Sequence, residues 1–344
     1  MKKCFFQKPG IILALTLAFV SCDDSMMFGS FNSLTRKLAS LEDSAESGGS
    51  YFIELSSDER IPPVIIGGGN DIEEARADAK PGTIFIDFGD KENITIRLRG
   101  VGANRIISLS SEGAMFTVLS GFTLVLDGNI TLKGREGNIN SLVVVHEGAT
   151  LIMNIGSAII DNSHSWYGGG VNVLNGAAFT MNGGTIAGNN ARWGGGVDSS
   201  GTFTMNDGII SGNTGGWGSG VNAWADATFT MNGGIIASNN AYNTGGGVCI
   251  NGGTFTMNGG TITGNSAYDG GGVYITGTFT KTYGTITGIG SGNGNTARAE
   301  NGGNAVYASN SSFSVTKRRE TTVEQNENLS FNARTGAFNG RWDY

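Results

Sequence analysis

The amino-acid sequence predicts an all-β chain wound as a parallel β-helix of about 8–10 coils. Three observations carry that expectation. The phrase GTFTMNGGTITGN at 253–265 returns at 177–189, 201–213 and 227–239, with a degenerate copy at 277–288. Gly-rich triplets begin at 168, 194, 218, 245 and 270, so successive coils run 24–27 residues. Each unit holds strand signals too short for a freestanding sheet, which find partners only in the equivalent strands one coil away, about 4.8 Å off.

Strand alternation assigns the faces of each coil. Phe179, Phe203, Phe229, Phe255 and Phe279 point inward, two residues before Met181, Met205, Met231 and Met257. Ile186, Ile210, Ile236, Ile262 and Ile286 form a second inward column, and Val171, Val197, Val221, Val248 and Val273 a third. Three strands per coil are expected, one after the Gly triplet, one on the Phe and one on the Ile. Asn162, Asn189, Asn213, Asn239 and Asn265 follow the Ile strand. Asn tolerates left-handed backbone at a sharp turn, and its amide can bond its equivalent in the next coil, so these five are expected to form a ladder.

Composition narrows the class. The chain has 344 residues, 58 of them Gly and 4 Pro, which without a three-residue period excludes collagen. Charged residues are sparse at 15% and the hydrophobic share of 39% is enough for a core. A net charge of −7 argues against nucleic acid as a partner, since phosphates need a basic face. Residues 1–21 read as a signal peptide, with Lys2 and Lys3 before the apolar run IILALTLAFV and Ser21 before Cys22. This stretch resembles a bacterial lipoprotein signal, which implies lipidation of Cys22, export and a membrane-anchored place in the cell envelope or on the cell surface. Phe19 departs from the usual Leu, so an ordinary secretory signal is the alternative. Cys249 is then the one mature cysteine beyond the lipidation site, and it has no partner for an internal disulfide.

After the signal, 22–49 is rich in Ser, Asp and Glu and reads as a tether. Residues 50–165 read as an N-terminal cap and irregular coils, 166–314 as regular coils and 315–344 as a tail that folds back over the open strand edge. A short helix is expected over DIEEARADA at 71–79.

The regular part resembles the right-handed β-helix repeats of bacterial surface proteins, in particular spirochaete-type lipoproteins built from GGGVY…GTFTMNGGTITGN units. It is more distantly similar to the repeats of chlamydial polymorphic membrane proteins. The likeness spans roughly 46–344 and includes SAESGGSYFIEL at 44–55, LRGVGANRIISL at 98–109 and the tail after KRRETT at 317–322. It implies a pectate-lyase-like architecture on an exported protein, with no established chemistry.

That architecture also hosts polysaccharide lyases and glycoside hydrolases, which need converging carboxylates. Between 168 and 301 the acids are Asp198, Asp207, Asp226, Asp269 and Glu300, and they share no repeat position. Asp198, flanked in neighbouring coils by Asn172 and Asn222, is expected in an outward polar stack. A catalytic alternative would use the more charged early coils, around Asp87, Asp90, Lys91, Glu92, Arg97 and Arg99. His146 and His164 have no ligand-spaced partner, so neither metal nor cofactor is expected. GIGSGNGN at 288–295 lacks the strand–helix context of a phosphate loop.

Two repeated surface features remain. Trp166, Tyr167, Trp193, Trp217, Tyr242 and Tyr268 each follow a ladder Asn by three to five residues, and stacking of coils places them along one edge. Such a strip is suited to sugar rings or to a host or envelope protein, although it can simply cover the seam before the next triplet. Thr202/Thr204, Thr228/Thr230, Thr254/Thr256 and Thr278/Thr280 face outward in two columns. They resemble an ice-binding lattice, but Thr is also a favourable exposed strand residue. The expected function is therefore a monomeric, non-catalytic surface binding protein, adhesin-like or glycan-contacting, with a ligand-free envelope spacer as a further alternative.

Overall fold

The computed structural model describes residues 33–163, 165–288, 293–299 and 302–308, together with the backbone of 331–332, 337–338 and 342–343. Cys22, the signal peptide, His164, Glu300 and KRRETT lie outside these residues. The chain is a right-handed parallel β-solenoid of about eight turns. Three long sheets form its walls. The Phe sheet has nine parallel strands, from Ser50–Leu55 to Thr278–Lys281. The Ile sheet begins at Glu59–Ile61, and the Val sheet begins at Ile84–Asp87 and Val64–Gly67.

The three inward columns form as their alternation requires, with every Phe, Ile and Val named above buried. Successive Phe rings stack at 4.7, 4.8, 4.6 and 4.9 Å, with planes within 15° of parallel. That spacing is the strand-to-strand distance, so each ring fills the space above the one below. The irregular early coils keep the same register. The Phe column continues down through Leu151, Leu124 and Ile96, and the Ile column through Ile159, Leu132 and Ile107. The Thr pairs stand in register on the outer face of the Phe sheet.

Three expectations are corrected. Regular coils have four strands, because a fourth sheet of six short strands runs from Ser165–Tyr167 to Thr296–Ala297. Its inward positions are Ala191, Gly215, Ala241 and Ala267, too small to produce a hydrophobic signal in the sequence. Second, the left-handed residue at the sharp turn is the one before each ladder Asn: Asp161, Gly188, Gly212, Ser238 and Gly264 have φ between 56° and 66°. Third, the second half of the stretch read as a tether is helix α1 (Ser33–Ser44), whose Leu34, Leu38 and Leu41 join the core. Helix α2 (Gly69–Asp78) matches the expected short helix and buries Ile72 against Ile65 and Leu119.

At the other end, two described pieces of the tail, Ala337–Phe338 and Trp342–Asp343, pair antiparallel with the last coil. Ile286 pairs with Trp342, and Val306 with Phe338. Backbone donors and acceptors that would otherwise face an open edge are engaged there.

Candidate functional site

The buried Asn ladder is longer than expected, seven residues instead of five. Asn162, Asn189, Asn213, Asn239 and Asn265 are at most 1% exposed, and Asn138 and Asn295 extend the ladder at its two ends. The amides of Asn189, Asn213, Asn239 and Asn265 each span three coils. Asn213 Nδ2 donates to Ile186 O at 3.1 Å and to Asn239 Oδ1 at 3.0 Å, while its Oδ1 accepts from Asn189 N and Nδ2 at 2.9 and 3.1 Å. Its work is structural, satisfying backbone groups at a buried turn.

A second, exposed ladder follows the Phe strand. Asn154, Asn182, Asn206, Asn232 and Asn258 are joined amide to amide at 2.8–3.1 Å. It starts from Asp127, which accepts from Asn154 and is held by a two-pronged bond from Arg97 at 2.9 Å. Other early-coil charges also engage neighbours: Arg99 pairs with Glu54, and Asp87 with Arg76.

The aromatic strip lies on the fourth sheet, and the structure resolves the expected single row into two columns one residue apart. Tyr167, Trp193 and Trp217 form one, facing Thr244 in the next coil. The register places Trp166, Arg192, Gly216 and Tyr242 in the other, with Tyr268 one coil beyond. Trp193 and Trp217 stack at 4.1 Å. Trp166 is 56% exposed and Tyr242 65% exposed. Gly216 interrupts the outward column, and a β-bulge sets Tyr242 and Asn243 opposite that one glycine. The gap is an open depression of about 460 Å³, floored by Gly215 and Gly216 and walled by Trp166, Arg192, Trp217, Tyr242 and Asn243. The Arg192 guanidinium lies 5.0 Å from the Trp166 ring centre and 5.5 Å from that of Trp217. Trp193, Tyr167 and Tyr268 do not line the depression.

Trp193 and Tyr167 instead turn to Trp224, which the repeat pattern does not single out because it sits at the turn after the Val strand. Their rings lie 4.8 and 6.4 Å from that of Trp224. Beneath it is Asp198, only 2% exposed, so the expected outward stack is buried under indoles. Asp198 accepts from Trp224 Nε1 at 3.0–3.1 Å and from Asn222 Nδ2 at 2.7 Å. Burial outweighs these bonds and raises its pKa to about 6. Cys249 lies in the same column, paired with Asn222, and burial pushes its thiol up to about 12, leaving it unreactive.

The raised Asp198 pKa has a consequence for stability. The folded chain holds this proton more tightly than the unfolded chain, whose carboxyl titrates near 3.8. Its contribution is therefore full below about pH 4, is lost as pH rises to about 6, and is level above that. The loss is on the order of 3 kcal/mol. Asp198→Asn is expected to lack this slope. Urea denaturation of both proteins between pH 3.5 and 7 checks it, and parallel pH profiles would rule the mechanism out.

Among the described residues no group of three or more His, Cys, Asp or Glu side chains is gathered as a metal site requires, and no helix is long and apolar enough to cross a membrane. Comparison with protein-family models, with curated proteins and with solved structures finds no match, so the functional reading rests on geometry and sequence.

Proposed function

We propose that this chain is an exported, lipid-anchored solenoid of the cell surface that contacts glycan through its fourth sheet and makes or breaks no bonds. The observation that carries the reading is the depression over Gly216. Planar side chains border it, two of them more than half exposed, on a sheet whose own inward residues need no such cover. Sugar rings present an apolar face to aromatic rings and hydroxyls to polar neighbours, and Asn190 and Asn243 supply amides at the same place. Stacked coils hold these groups without a mobile loop, so little ordering cost attends binding. The resemblance of residues 1–22 to a lipoprotein signal supports the surface placement.

Trp217→Ala removes one wall and the stacking partner of Trp193. Combined with Trp193→Ala it is expected to abolish retardation in native gels containing polysaccharide. Both rings lie outside the Phe, Ile and Val core columns, so the coil should keep its far-ultraviolet circular dichroism. Unchanged retardation would overturn the reading. Cleared polymer around the protein band would replace it with a polysaccharide lyase or hydrolase.

A further inference from the structure

The regular coils carry very few cations. Between 168 and 299 the Lys and Arg residues are Arg192, Lys281 and Arg298, and Lys281 is buried. Both exposed ones lie on the fourth sheet, on either side of Tyr242. Arg192 forms one wall of the depression. Its side chain lies over two indoles and has no carboxylate partner among the described residues. Arg298 reaches back across two coils, donating from Nη2 to Ala241 O at 2.6 Å and to Tyr242 O at 2.9 Å. Nη1 donates to Ser266 Oγ at 3.0 Å and to Asn240 Oδ1 at 3.3 Å. All four acceptors are neutral, so the Arg298 charge is likewise not cancelled by these contacts.

Three of the four described acids of these coils are elsewhere. Asp207 and Asp226 sit on turns of the other sheets, and Asp198 is sealed under Trp224 on the Val sheet. Asp269 stands at the edge of the fourth sheet beside Tyr268, bridged to Thr244. A chain of net charge −7 thus places its exposed regular-coil cations on one aromatic face. A guanidinium within cation–π reach of two indoles and without a carboxylate partner has donors that match a carboxylate.

We propose that the depression takes a carboxylate-bearing sugar, a uronate within a polysaccharide. Arg192 meets the carboxylate, Trp217 and Tyr242 border the ring, and Arg298 adds attraction for the next acidic residue along the strand. This rests on the glycan reading above and specifies its ligand class. Arg192 acts as the selecting group, and the aromatic walls supply contact common to acidic and neutral sugars.

The test is native affinity electrophoresis of the purified protein in gels containing polygalacturonate or hyaluronan. Each is run beside its carboxyl-reduced derivative, with dextran sulfate as a non-carboxylate polyanion. The expected result is retardation by at least one uronate polymer, about tenfold stronger than by its reduced form. Arg192→Gln should fall to the level of the reduced polymer with its melting temperature unchanged, while Trp217→Ala should lose retardation by both. Equal retardation by acidic and reduced polymers would overturn the proposal and leave glycan binding standing. So would an Arg192→Gln protein that keeps the acid preference. Retardation by dextran sulfate alone would replace the carboxylate with a sulfate. Retardation by none of the polymers would remove the glycan reading and this proposal together.

Discussion

Asn213→Ala is expected to lower the stability of the solenoid by on the order of 3–5 kcal/mol. The side chain is fully buried and makes four hydrogen bonds, two as donor and two as acceptor. Truncation leaves the Asn189 backbone N–H and one Asn189 Nδ2 hydrogen without their acceptor, and takes one donor each from Ile186 O and Asn239 Oδ1, at a fully buried turn. Each such loss costs about 1–3 kcal/mol, far more than the net worth of an ordinary hydrogen bond. The exposed ladder supplies the control. Asn206 has the same amide-to-amide links, to Asn182 at 2.9 Å and from Asn232 at 2.8 Å, but water can replace both. Asn206→Ala should therefore cost less than about 1 kcal/mol. Urea denaturation followed by circular dichroism distinguishes the two. Equal costs would mean that the buried ladder is a consequence of the fold and adds little to holding it.

The contrast between the ladders also bears on what can be read from sequence. Both Asn positions recur in the same phrase, FTMN and ITGN, and periodicity alone does not tell which is buried. Position after the Ile strand singled out the inner one, on the expectation of left-handed backbone, which falls on the preceding residue, and of amide bonds between coils, which form. Asn138 was legible in principle, lying 24 residues before Asn162. Asn295 was hidden by the insertion that puts it 30 residues after Asn265. The Phe, Ile and Val columns were plain because bulky apolar side chains recur at fixed spacing.

The fourth sheet left no such trace. Its inward side is Ala and Gly, and its strands are recognisable only through pairing with other coils. That omission concealed the site, since the depression depends on which residue stands opposite which. Gly216 opposite Arg192 and Tyr242, and the bulge that admits Asn243, are facts of register. Trp224 was missed for a related reason. It occurs once, outside the repeat, and its role comes from reaching Asp198 one coil away.

Leu38→Asp in helix α1 is expected to be the most damaging single change outside the repeats. A solenoid end exposes the cross-section of its core and the unpaired edges of its sheets at once. Helix α1 closes that end, lying against the first strand of each long sheet: Ser50–Leu55, Glu59–Ile61 and Ile84–Asp87. Leu34, Leu38 and Leu41, spaced four and three apart, put three leucines on one helix face. Their Ser- and Glu-rich surroundings make the segment look like a tether, although the spacing was there to be read. The polar side of the helix fastens it. Lys37 Nζ donates to Glu54 O at 2.6 Å, and Glu42 Oε1 accepts from Asp87 N at 2.9 Å. Aspartate at position 38 removes about 2–3 kcal/mol of apolar burial and puts a carboxylate among the buried apolar side chains of the core. The helix should detach, uncovering the apolar end and the first edge strands. Ala39→Asp, on the exposed side of the same helix, carries the same charge and similar helix propensity, so it isolates burial as the cause. Size-exclusion chromatography with light scattering is expected to show Leu38→Asp as aggregates and Ala39→Asp as the wild-type species. If Leu38→Asp instead eluted like the wild type with an unaltered melting temperature, the core would close without the helix, and 33–44 would be the tether that its composition suggests.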